Sequence, residues 1–132
     1  MSSLKNISDV LAGKASLGEV RSGKWPGVRA THLKANPTCA VCDGTTKLEV
    51  HHIMPFHLDP TKELDPTNLL TLCESSENGI NCHLAFGHVG NYQCVNKTSK
   101  QDAKVWNAKF KKRRAEQAKK SAAANKAKAV VK

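Results

Sequence analysis

Residues 39–57 read CAVCDGTTKLEVHHIMPFH, and the architecture turns on that stretch. Cys39 and Cys42 form a C-x2-C pair followed by Asp43-Gly44, the spacing at which a tight turn points two sulfurs at one tetrahedral ion about 2.3 Å away. Lys47 to Ile53 (KLEVHHI) has Val and Ile in rough alternation, which suits a strand, and Pro55 ends it. Adjacent strand residues face opposite ways, so His51 and His52 serve one site only where the strand twists or ends. One imidazole then binds an ion while the other stays free of it.

Downstream, residues 57–67 (HLDPTKELDPT) carry two Asp-Pro pairs and few apolar groups, which predicts a surface loop. Leu69 to Leu72 reads as the second strand and Asn78-Gly79 as a turn. Asn81 is placed to cap a short helix that Gly87 interrupts. Cys73 and Cys82 follow the first thiol pair. With Cys39 and Cys42 they would make an all-cysteine zinc site tying the knuckle to the second strand and helix. The mechanical need is plain, because residues 39–94 are too few to bury a large apolar core. Cys94 is left over, either as a buried free thiol or as a replacement for Cys82 in the fourth position.

Upstream, Pro26 suits a first helical turn, and Val28, Thr31, His32 and Ala35 recur at helical spacing before Asn36-Pro37, giving a helix over 26–35. Residues 1–24 read as a polar basic arm with one short helix over 5–12, residues 25–99 as the zinc-bearing module, and residues 100–132 as a Lys/Ala-rich tail. The tail predicts one basic helix from Gln101 to about Ala123, making a single apolar contact through Trp106 and Phe110, with frayed sequence beyond. The fold class is α+β, a small zinc-stabilised module with helical flanks.

Charge sharpens the picture. The 132 residues carry 21 Lys and Arg against 11 Asp and Glu, a balance of +10. The tail holds twelve basic and two acidic groups, residues 1–38 are at +4, and residues 39–99 are at −4. A polyanion is the first partner to consider, attracted by the flanks, while carboxylates of the 57–67 loop are expected to sit away from the groove it occupies. No run of about 18 apolar residues exists, so a membrane-spanning class falls away. The polar start, MSSLKNISDVLAGK, and five cysteines, an odd count, speak for metal ligands in a reducing, cytoplasmic setting rather than a disulfide framework.

Taken in order, CAVC, LEVHHIMP, NLLTLC and NCH resemble the HNH nuclease family, over roughly residues 25–95. The resemblance implies a ββα-metal fold and metal-dependent hydrolysis of DNA phosphodiesters, in a bacterial or phage setting. It implies that His51 and His83 hold a catalytic divalent ion (Mg²⁺, Mn²⁺, Ni²⁺ or Zn²⁺), that His52 is the general base, and that Asn68 supports the loop geometry. Cys39, Cys42, Cys73 and Cys82 match the family's structural zinc. The second thiol pair departs from the usual C-x2-C-H pattern, with eight residues (ESSENGIN) between Cys73 and Cys82. His88 competes with His83 for a metal or phosphate role, although five residues on it lies off the same α-helical face.

Double-stranded DNA is the expected partner, bound by a chain that is monomeric by default and could dimerise on DNA. Arg21, Lys24 and Arg29 resemble the family's basic entry segment, and Lys111, Lys112, Arg113 and Arg114 add nonspecific phosphate contacts. Trp25 is expected to pack on the module rather than stack on a base. The rival expectation is a noncatalytic zinc-stabilised module that binds DNA or RNA.

Overall fold

The computed structural model describes residues 21–130. Helix α1, Trp25–Ala35, begins with Pro26 in its first turn and stops where Asn36 N–H donates to the His32 carbonyl (2.8 Å). The Thr71 hydroxyl donates to the Asn36 carbonyl (2.9 Å), fastening the end of α1 to the sheet. The thiol knuckle then closes on itself, Cys39 N–H donating to Gly44 O (2.8 Å) and Asp43 N–H to Cys39 O (3.0 Å). A further bond from Ala40 N–H to Thr71 O (2.9 Å) pins it against the second strand.

Strands β1 (Leu48–His52) and β2 (Leu69–Cys73) form a two-stranded antiparallel sheet in which His51 faces Leu70 and His52 faces Leu69. Every residue of β2 is buried, so its hydrophobic run LLTLC is the centre of the core rather than one face of it. The connection between the strands contains two single-turn 3₁₀ helices, Pro60–Lys62 and Pro66–Asn68. Both start from the repeated triplet Asp-Pro-Thr. Asp59 and Asp65 each accept from the backbone N–H two residues on (3.1 and 2.9 Å), and proline occupies the position where a missing N–H costs nothing.

This connection departs from the expected surface loop at one residue. Glu63 is 3 % exposed, its carboxylate accepting from Ser22 N–H (2.9 Å) and Arg21 (3.3 Å). Two donors of the preceding basic segment draw this one loop carboxylate inward.

The eight-residue excursion after Cys73 is held by Glu77, whose carboxylate accepts from the N–H and hydroxyl groups of Thr45 and Thr46. Asn78 donates to Cys42 O (2.8 Å), so the longer spacing still returns Cys82 to the knuckle. Residues His83–Gly87 form a π-helical turn, and the long helix α2 follows over Ser99–Val130. At 1.5 Å per residue its 32 residues span about 48 Å.

Two expectations for the tail are corrected. The helix does not fray after Ala123 but runs to Val130, because Ala and Lys are both strong helix formers. Nor is its docking a single apolar contact. Ala103 is 1 % exposed, Trp106 packs on Phe86 (centroids 5.5 Å apart), Asn107 donates to Val41 O (2.9 Å), and Arg114 reaches Cys42 O (3.2 Å). The first half of α2 thus braces the thiol knuckle. The helix expected over residues 5–12 lies outside the described residues. Among the described residues no helix is long and apolar enough to cross a membrane.

Candidate metal centres

Four sulfurs meet behind the sheet. Cys39, Cys42, Cys73 and Cys82 are all buried, and their Sγ atoms lie within 4.8 Å of one another. The Cys42 and Cys73 sulfurs stand 3.7 Å apart, against about 3.8 Å for two ligands of a tetrahedral ion with 2.3 Å bonds. A hydrogen bond from the Cys82 thiol draws the Cys39 thiol down, against the opposing effect of burial, and the same bond together with burial holds Cys82 up. The donors fit a structural zinc. Cys94, expected buried or as the alternative fourth ligand, is neither. It is exposed in the turn 91–94, and it is its carbonyl that points inward.

On the other side of β1 a second cluster forms from His51, His83 and His88, each offering a nitrogen within 4.8 Å of the others. His83 Nδ1–H donates to the Glu74 carboxylate (3.0 Å) and His88 Nδ1–H to the Cys94 carbonyl (2.9 Å). Both acceptors fix their ring's tautomer, so the two Nε2 atoms face each other at 3.2 Å with a lone pair each. That is the separation of two imidazole nitrogens about 2.1 Å from one ion, and an unfavourable contact without a cation between them. His51 Nε2 is buried with no hydrogen-bond partner. Three unsatisfied lone pairs therefore converge, and the site fits a divalent ion.

Burial first, and then the neighbouring imidazoles His83 and His88, push the His51 pKa down to about 3, so it stands as a neutral ligand. A Cβ on Gly87 would stand 3.0 Å from Leu72 Cδ1 and 3.2 Å from the His51 ring, so the absence of a side chain is what lets the π turn approach β1.

His88 is thus a partner of His83 and not its competitor. The α-helical spacing that set it aside does not apply, because a π turn repeats at i→i+5 and brings residues 83 and 88 to one side. Nothing in the local sequence announces that turn. Also missed was Glu74, the orienting carboxylate. Glu74→Gln is expected to weaken binding of an exchangeable divalent ion by about 10- to 100-fold, measured by titration calorimetry, with zinc at the thiols retained.

His52, the last residue of β1, stands outside the histidine cluster. Its Nε2–H donates to the Glu63 carbonyl (2.9 Å) and its ring lies against Trp25, centroids 4.4 Å apart. Burial lowers its pKa, opposed by the bond to the Glu63 carbonyl. With Nε2 occupied, Nδ1 carries the free lone pair. Asn68 is buried and closes the loop that follows His52. Its Oδ1 accepts from Met54 N–H (2.8 Å), and its Nδ2 donates to Met54 O (3.0 Å) and Lys62 O (3.1 Å).

Of the basic residues singled out in the sequence, three are engaged within the chain. Arg21 pairs with Glu63 and lies over the Phe56 ring, Arg29 pairs with Glu49 (3.2 Å), and Arg114 pairs with Asp43. Lys24, Lys111, Lys112 and Arg113 are exposed, with no ion pair among the described residues. Trp25 packs on His52.

Residues 39–87 match the family model described as HNH endonuclease. No curated protein and no solved structure matches the chain.

Proposed function

From the HNH domain that the chain carries at residues 39–87, we propose that it is a metal-dependent endonuclease that hydrolyses phosphodiester bonds of double-stranded DNA, leaving 5′-phosphate and 3′-hydroxyl ends. The observation that supports this most is the convergence of the His51, His83 and His88 lone pairs beside an imidazole held apart from them.

His51, His83 and His88 would hold a divalent ion, which would supply Lewis-acid neutralisation of charge on a phosphate oxygen and on the departing 3′ oxygen. His52 does the proton work. With its Nε2–H fixed on the Glu63 carbonyl, Nδ1 takes a proton from the water that attacks phosphorus in line with the scissile bond. Trp25 stacked on the ring and the Asn68 clamp on the following loop hold that nitrogen in place. Cys39, Cys42, Cys73 and Cys82 would hold a structural zinc, which would tie the knuckle to the second strand and the start of the π turn.

Nicking of supercoiled plasmid tests the reading. The chelated protein is expected to be inactive and to regain nicking on addition of Mg²⁺, Mn²⁺, Ni²⁺ or Zn²⁺. Duplex or RNA binding without nicking in any of the four ions would leave a noncatalytic binding module instead.

A further inference from the structure

Lys62, from the loop after β1, Lys97, from the turn that leads into α2, and Lys100, from the first turn of α2, line one hollow of about 240 Å³. All three are exposed, and none makes an ion pair among the described residues. The one acidic residue of its lining is Asp65, whose Oδ1 accepts from the Thr67 N–H (2.9 Å) and hydroxyl (2.8 Å). Three lysines against one carboxylate give the lining of the hollow a net positive charge. Like charges gathered this way repel, and an anion in the hollow relieves the repulsion. Its volume, about that of eight waters, accommodates a phosphodiester with its remaining hydration.

Position narrows the identity of that anion. Its lining also includes Ile53, which directly follows His52, and Asn68, which clamps the loop carrying Lys62. Lys100 also begins a row. Ala103, Asn107 and Arg114 mark the face of α2 docked on the knuckle, while Lys100, Lys104 and Lys111, at i, i+4 and i+11, run along its exposed flank. A chain of regularly spaced anions that starts beside His52 would follow that flank outward.

We propose that the hollow between Lys62, Lys97 and Lys100 is a subsite for a backbone phosphate of duplex DNA near the cleaved bond, and that it heads a phosphate track along α2. The identity of the polyanion rests on the nuclease reading. The lysines position the strand and take no part in the chemistry.

The test uses the full chain in a His52→Ala background, so that binding is measured without cutting. Replacing the trio by Lys62→Gln, Lys97→Gln and Lys100→Gln is expected to weaken duplex binding by about 10- to 100-fold at ~0.1 M salt. It should also flatten the slope of log K against log salt by about 2 to 3. A neutral methylphosphonate within about two nucleotides of the cut is expected to weaken the parent and to change the triple variant little, as for partners in one contact. Because the three side chains are exposed, the melting temperature should be unchanged. Parental affinity and slope in the triple variant, a methylphosphonate penalty of full size on it, or an effect confined to RNA would each overturn the subsite. Failure of the nuclease reading shows elsewhere, as a wild type that never nicks in any metal.

Discussion

Replacing His52 with alanine is expected to lower metal-dependent plasmid nicking by about 10²- to 10⁴-fold while both metal contents and duplex binding are retained. The expectation follows from the division between two adjacent imidazoles. His51 turns its Nε2 into the buried cluster with His83 and His88, whereas His52 donates Nε2–H to Glu63 and keeps Nδ1 free. Only the second ring has a basic nitrogen that the clustered lone pairs leave unused. Alanine also orphans the Glu63 carbonyl, at a cost of about 1–3 kcal/mol in stability if no water replaces the donor. His52→Gln separates the two effects, since its amide can donate to that carbonyl but carries no basic nitrogen. Stability is expected to return with glutamine and nicking is not. Full activity in either variant would remove His52 from the reaction.

Cys73→Ser is expected to have the largest effect on the fold. The cooperative thermal transition should disappear, and retained zinc should fall from about one per chain to near none, read by calorimetry and elemental analysis. Four of the eight residues in the central core cluster are the thiols themselves, so the interior is built around the sulfurs rather than merely beside them. A structural zinc contributes about 10–16 kcal/mol in small zinc-dependent domains. Typical domain stability is only about 5–15 kcal/mol, so losing a ligand removes more than the remaining apolar contacts supply. The loss should also release α2, because Asn107 and Arg114 grip the knuckle at Val41 O and Cys42 O. His83→Ala supplies the contrast, with zinc and cooperative unfolding kept and the exchangeable ion lost. A folded Cys73→Ser chain that still holds one tight zinc would show that the sulfurs do not form a single site.

Much of this was legible in the residues because the chemistry is local. C-x2-C makes a metal knuckle by its spacing, Val and Ile in KLEVHHI make a strand, Pro26 and Asn36-Pro37 bound α1, and the strand alternation already separates His51 from His52. The two Asp-Pro-Thr triplets announced turns, and both are capped turns. Where the chain order of four short elements resembled a family, the residues 39–87 match it.

What the order of residues could not decide is set by distances between parts of the chain that are remote in sequence. Whether His88 joins His83 depends on a π turn in place of an α turn, and the structure pairs that turn with Gly87 lying against Leu72 and His51, a contact made across the sheet. Whether Glu63 stays in solvent depends on Arg21 and Ser22, about forty positions earlier, meeting its carboxylate. Whether the basic tail is an appendage or a brace depends on Asn107 and Arg114 finding two carbonyls of the knuckle. Composition and spacing specify which groups are present and how the nearest of them turn. Which lone pairs end up facing one another, and so where a cation fits, is a property of packing alone.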